Sequence, residues 1–176
     1  MPMIRNGLLA ITACLLAAMP ALAQDTRVLD AFETTGAWEA DASTDVTSTI
    51  RTVPGREGQA LRLDFDFNGR AGYAFAAREI DLTLPDNYEI SFWVRGVGPL
   101  NTFEVKFTDA ENENVWWRQT TRYDFPDDWT LFTIKRRQVT KAWGPGEDPV
   151  LRQAERMEFV VVAAEGGSGH IEIDQL

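Results

Sequence analysis

From Ala60 onward the chain repeats one pattern: a short run of alternating apolar and polar residues, closed by a turn. Leu61, Leu63, Phe65 and Phe67 alternate with Arg62, Asp64 and Asp66. Ile90, Phe92 and Val94 alternate with Ser91, Trp93 and Arg95, and Phe103, Val105 and Phe107 with Glu104, Lys106 and Thr108. Phe132 and Ile134, then Ile171 and Ile173, repeat the pattern. Period two places one apolar face on a half-buried strand. Phe159–Val162 is continuously apolar, as in a strand covered on both faces. Pro54-Gly55, Asn68-Gly69, Gly144-Pro145-Gly146 and Gly166-Gly167-Ser168-Gly169 break the runs. One stretch, Asp148–Arg156, reads as a short helix.

Many short strands at such spacing predict an all-β fold. About eight of them, hopping between layers, predict a jelly-roll β-sandwich of two antiparallel sheets. One sheet takes Ala60–Phe67, Tyr88–Arg95, Trp129–Arg136 and His170–Gln175. The facing sheet takes Tyr73–Glu79, Phe103–Asp109, Val115–Thr121 and Glu158–Ala163. The opening strand at Val28 is expected to flank the closing strand.

The N-terminus carries a different signal. Arg5, an apolar stretch over Gly7–Ala18 and the Ala21-Leu22-Ala23 site make residues 1–23 a secretory signal peptide. The apolar stretch is too short for a comfortable membrane span. Ile11-Thr12-Ala13-Cys14 loosely fits a lipobox, but apolar sequence runs on to Leu22, which disfavours a lipoprotein anchored at Cys14. The remaining residues 24–176 suit one domain. Cys14 is the single cysteine, so the mature domain is expected to hold no disulfide and no thiolate site. The expected location is exported, periplasmic or extracellular. The chain carries a formal charge of −10, and loss of Arg5 with the signal leaves the mature domain still more acidic. Such a surface repels nucleic acid and anionic lipid. No nucleic-acid partner and no membrane insertion are expected.

The frame LDAFE at the start, GQALRLDF, YEISFWVRG, FEVKFTD and ENVWW in the middle, and GHIEIDQL at the end resembles a bacterial galactose-binding-like jelly roll. It is similar to the carbohydrate-binding modules appended to exported glycoside hydrolases and discoidin-type proteins. The resemblance covers essentially the whole mature chain. It implies non-catalytic binding of a glycan or polysaccharide and a structural calcium. It also implies that the domain is the N-terminal piece of a longer chain with a covalently linked downstream enzyme domain, and the chain's stop within its last strand agrees.

Calcium takes six to eight hard oxygens. The candidate metal ligands are Asp30 and Glu33 on the first strand and Asp174 on the last strand, with carbonyls from Gly55–Gly58. The same acids read equally well as solvated edge residues or turn caps. Sugars stack C–H faces on aromatic rings and need placed polar groups for their hydroxyls. Trp116 and Trp117 are adjacent, so they point to opposite faces of a strand. Which one faces out is left open, because the loop Ala110–Asn114 hides the register. With Trp143 in a Gly/Pro loop, and Lys106 and Glu104 facing away from the core, they make a candidate platform. The competing reading makes Trp38, Trp93, Trp116, Trp117, Trp129 and Trp143 mostly core and rim packing. Lys135-Arg136-Arg137, with Arg152 and Arg156, reads first as a solvated, acid-paired face and second as an anion site. Catalysis has little support: His170 is the single histidine, and no nucleophile elbow or phosphate loop is present. Two alternatives stay open: a cell-envelope protein-interaction or structural domain, and a glycoside hydrolase or its accessory subunit.

Overall fold

The computed structural model describes residues 26–176. The expected signal, Met1–Ala23, and Cys14 within it lie outside the described residues. The first strands are β1 (Glu39–Ala42), β2 (Thr47–Pro54), β3 (Gln59–Asp66) and β4 (Tyr73–Thr83). Then come β5 (Glu89–Val97), β6 (Asn101–Thr108), β7 (Val115–Tyr123) and β8 (Thr130–Lys135). The last are β9 (Thr140–Trp143), β10 (Gln153–Val162) and β11 (Ser168–Asp174). They form two antiparallel sheets packed face to face. The six-stranded sheet runs β1-β4-β10-β6-β7-β9, and the five-stranded sheet runs β2-β3-β11-β5-β8. The fold is the expected all-β jelly-roll sandwich.

Each predicted strand lies in its predicted sheet, because alternation had placed its apolar face correctly. In β5, Ile90, Phe92 and Val94 are buried while Ser91, Trp93 and Arg95 turn outward. The inner faces meet through aromatic rings. Phe92 lies 5.0 Å from Phe159 and 5.2 Å from Phe132, centroid to centroid, and Trp38 stacks 5.4 Å from Phe159. Burial of one such ring contributes about 1.5–3 kcal/mol.

Some features differ from expectation. The segment Asp148–Arg156 is not helical. Pro149 sits in it, Asp148 Oδ1 accepts the Val150 amide, and the Leu84 amide donates to the Arg152 carbonyl. From Gln153 the chain is strand, paired with β4. Its acids and arginines satisfied a helical composition, but the ladder with β4 wins. Strands β1, β2 and β9 were not anticipated. All three lie at sheet edges, where both faces can be polar and the alternation fades.

The opening residues around Val28 form no strand, but they do lie beside the closing strand. The Leu29 amide donates to the Leu176 carbonyl at 2.8 Å, and the Leu176 amide donates to the Asp30 carbonyl at 2.9 Å. This contact brings Glu33 and Asp174 to one loop.

Candidate functional site

The pairing of β6 with β7 sets which tryptophan faces out. Phe107 pairs with Trp116 and Lys106 with Trp117. Trp116 therefore joins the core, 8 % exposed, and Trp117 turns to the outer face of the six-stranded sheet. On β9, Trp143 is 50 % exposed. Its ring meets Trp117 at right angles, 5.4 Å between centroids. A right-angled pair leaves a corner of two apolar faces that a flat ligand can fill.

Polar groups lie beside this corner. Glu104 is only 3 % exposed although it faces outward. Gln119 Nε2 donates to its Oε1 at 2.7 Å, and Lys106 Nζ lies 3.1 Å from its Oε2. Lys106 Nζ also lies 5.6 Å from the Trp143 ring and 5.7 Å from the Tyr73 ring. Tyr73, 44 % exposed, stands on β4 near Phe75. Val160, between them and Glu104 in the sheet, is fully buried although it points outward. The face is thus a floor of apolar side chains with one neutralised ion pair and an aromatic wall at each side. Trp117, Trp143, Lys106 and Glu104 come together here, and Trp116 does not. Tyr73, Phe75 and Gln119 were missed. The Tyr73–Phe75 alternation against Ala74 and Ala76 was visible, but nothing local tells that β4 lies two strands from β6.

The acid cluster is a separate place. Asp174 is fully buried, and its Oδ2 accepts the Arg56 and Glu57 amides at 2.8 and 2.9 Å. Its Oδ1 is buried without a hydrogen-bond partner. Glu33 Oε1 accepts the Gln59 amide at 3.4 Å. Gly58, at φ +60°, lets that carboxylate approach, since a Cβ there would overlap it. Asp174 and Glu33 thus converge on the Gly55–Gly58 loop. Asp30 is engaged otherwise. Its Oδ2 accepts from Trp38 Nε1 at 2.9 Å and from Arg78, and its Oδ1 accepts the Phe32 amide. Among the described residues no three acidic or imidazole side chains form a ready cage. The orphaned Asp174 oxygen fits a hard cation, with Glu33 and loop carbonyls as companions. Asp30 is already neutralised by Arg78.

The outer face of the five-stranded sheet is arranged differently. Glu172 lies between Arg62 and Arg95 across the strands. Arg95 Nε donates to it at 2.6 Å, and Arg62 Nη1 at 3.2 Å. Burial pushes the Asp64 carboxyl up, but the bonds from Arg62 outweigh it and hold the group below the usual carboxylate range. His170, beside Glu172, titrates below its ordinary value through burial and the Arg62 charge. The other bases do not gather. Lys135 pairs with Glu89 on this sheet, Arg152 with Asp86 and Asp148, and Arg156 with Glu39, Glu79 and Glu158 on the other. Among the described residues no helix is long and apolar enough to cross a membrane.

No protein-family pattern and no curated sequence relative matches the chain. Solved structures do. A family 11 carbohydrate-binding module of a cellulosomal cellulase of Clostridium thermocellum superposes with a TM-score of 0.67 at 16 % identity. The match covers 85 % of this chain and 91 % of that one. The same kind of module, solved with a β-1,3-1,4-mixed-linked tetrasaccharide, matches at 0.67 and 17 % identity over 84 % and 91 %. A family 28 module, specific for non-crystalline cellulose, matches at 0.57 and 13 % identity over 86 % and 93 %. At such identities the likeness concerns the fold, and the chain has the jelly-roll sandwich that these carbohydrate-binding modules share.

Proposed function

We propose that this chain binds a neutral polysaccharide on the outer face of its six-stranded sheet, without cleaving it. The observation that carries the reading is the right-angled pair of half-buried Trp117 and exposed Trp143, set beside Lys106, Glu104 and Gln119. Rings stack on sugar C–H faces, and the polar groups hydrogen-bond hydroxyls. The pair Glu104–Lys106 is internally neutral, which favours an uncharged glycan over a uronate. From β4 to β9 there are four inter-strand spacings, about 19 Å across the sheet. That length suits several linked sugar residues rather than one. The similar modules solved with mixed-linked β-glucan or specific for non-crystalline cellulose support β-glucans as the first ligands to try. Shallow stacking gives Kd values in the high-micromolar to millimolar range, about −4 to −6 kcal/mol.

The module works outside the cytoplasm, after loss of residues 1–23, and holds a linked or partner enzyme near its glycan. Asp174, Glu33 and carbonyls of the Gly55–Gly58 loop would hold calcium, which would stiffen the junction of the two chain ends. Its test is thermal unfolding with calcium and with chelator. At 100 times its Kd the ion adds about 2.7 kcal/mol, and an unchanged Tm counts against it. The glycan reading is tested by affinity electrophoresis in mixed-linked β-glucan, soluble cellulose derivative and agarose. Retardation by at least one, lost in Trp143→Ala, supports it. Equal mobility in all three gels, with and without glycan, sinks it.

A further inference from the structure

Trp143 stands on a strand with little to hold it. Strand β9 has four residues and one neighbour, β7, with three paired positions. The register slips at Val115/Trp116, beside the point where Trp143 pairs with Val115. Such an edge frays unless something else ties it down.

The tie is Asn114. Its Oδ1 accepts from the Gly146 amide at 2.7 Å and from Lys141 Nζ at 3.0 Å. Its Nδ2 donates to Asp109 Oδ2 at 2.7 Å. Asp109 Oδ1 in turn accepts the Glu113 and Asn114 amides at 2.9 and 3.1 Å. Lys141 Nζ also donates to the Gly146 carbonyl. One side chain therefore joins the β6–β7 turn to the residues on both sides of Trp143. The fit is close: a Cβ on Gly146 would lie 2.8 Å from Asn114 Oδ1. Gly144, at φ +117°, takes a backbone shape other residues avoid, and a Cβ there would overlap the Glu113 carbonyl. A turn residue serving its own hairpin alone would need only the bonds to Asp109. The two bonds across to Gly146 and Lys141 serve β9.

We propose that Asn114 is the positioning residue of the glycan face: it clasps the Lys141–Gly146 segment so that Trp143 stays at right angles to Trp117. This rests on the glycan reading for its consequence, but the clasp itself is measurable without ligand. Two indoles 5.4 Å apart couple excitonically, so the pair gives a far-ultraviolet circular-dichroism couplet. Trp143→Ala sets the uncoupled baseline. Asn114→Ala is expected to lose more than half of the couplet and to weaken β-glucan binding about tenfold, while the Tm moves by only a few degrees. Asn114→Asp keeps the acceptor for Gly146 and Lys141 but sets a carboxylate against Asp109. Its couplet is expected to be weak at pH 7 and to recover as acid lets the two carboxyls share a proton, which Asn114→Ala does not do. If Asn114→Ala does not fold, Lys141→Met removes one cross-loop bond and is expected to lose a smaller share of the couplet. A wild-type couplet in the folded Asn114 or Lys141 variant overturns the proposal. So does a lost couplet with unchanged affinity. If the wild type binds none of the three glycans, the glycan reading falls, and the couplet alone still judges the clasp.

Discussion

The two outer faces of the sandwich each bury a carboxylate at mid-sheet, yet they neutralise it in opposite ways. On the five-stranded sheet Glu172 is met by two guanidinium groups, from Arg62 and Arg95. The same face covers its own rings: Arg95 lies 4.6 Å over Trp129 and Arg56 4.0 Å over Trp93. On the six-stranded sheet Glu104 is met by one ammonium and one amide, from Lys106 and Gln119. Lys106 Nζ stands farther off, 5.7 Å over the Tyr73 ring and 5.6 Å over the Trp143 ring, and both rings remain exposed. A planar guanidinium stacks flat and takes up a ring face, whereas an ammonium is a point charge that leaves room. One face is satisfied by its own side chains, and the other keeps its aromatic surface open. The presence of tryptophan therefore does not mark a ligand face; the group lying over the ring does.

This contrast can be broken most forcefully at Glu172. Glu172→Ala strands Arg62 and Arg95 without their shared counter-ion. It should cost about 2–4 kcal/mol in denaturant unfolding, with glycan affinity unchanged. A loss of binding at constant stability would show that the five-stranded sheet takes part. Next, Trp117→Ala should weaken β-glucan binding about tenfold or more, about 1.4 kcal/mol, as titration calorimetry would read. Trp129→Ala, the matching change on the other sheet, should leave affinity unaltered. It should lower stability by about 1 kcal/mol or less through its lost contact with Arg95.

The smallest effect is on pH. Asp64 titrates below its ordinary value of 3.8 in the folded chain. The folded state thus binds its proton less readily than the unfolded chain. Its contribution to stability is full above the ordinary value and disappears as pH falls through the lowered one. The stability gap between wild type and Asp64→Asn should be largest near pH 7 and shrink toward pH 3 in urea titrations. A gap independent of pH would place the effect in packing and not in the Arg62 pair.

Local pattern carried much of this far. The alternation in Leu61–Phe67, Ile90–Arg95 and Phe103–Thr108 specified strands and their inner faces, and the Gly- and Pro-rich breaks specified the turns. The edge strand β8 was legible through Phe132 and Ile134, but β1 was not, because its sequence Glu-Ala-Asp-Ala offers only two alanines to announce a buried face. Asp148–Arg156 misled because composition is a weak prior against a ladder partner on a strand far back in the chain. The clasp at Asn114 was equally silent, since its partners Lys141 and Gly146 follow only after two further strands, β7 and β8.

By itself the sequence determined a two-layer β-sandwich, its inner faces and the meeting of its chain ends. These follow from the period of burial, a property that neighbouring residues express together. The tertiary structure alone decided that Trp117 and not Trp116 faces outward, that Asp30 belongs to Arg78, and that arginines cover Trp93 and Trp129 while Trp143 stays exposed. Each depends on strand register or on which distant side chain reaches across, and a one-residue slip in pairing turns every side chain to the opposite face.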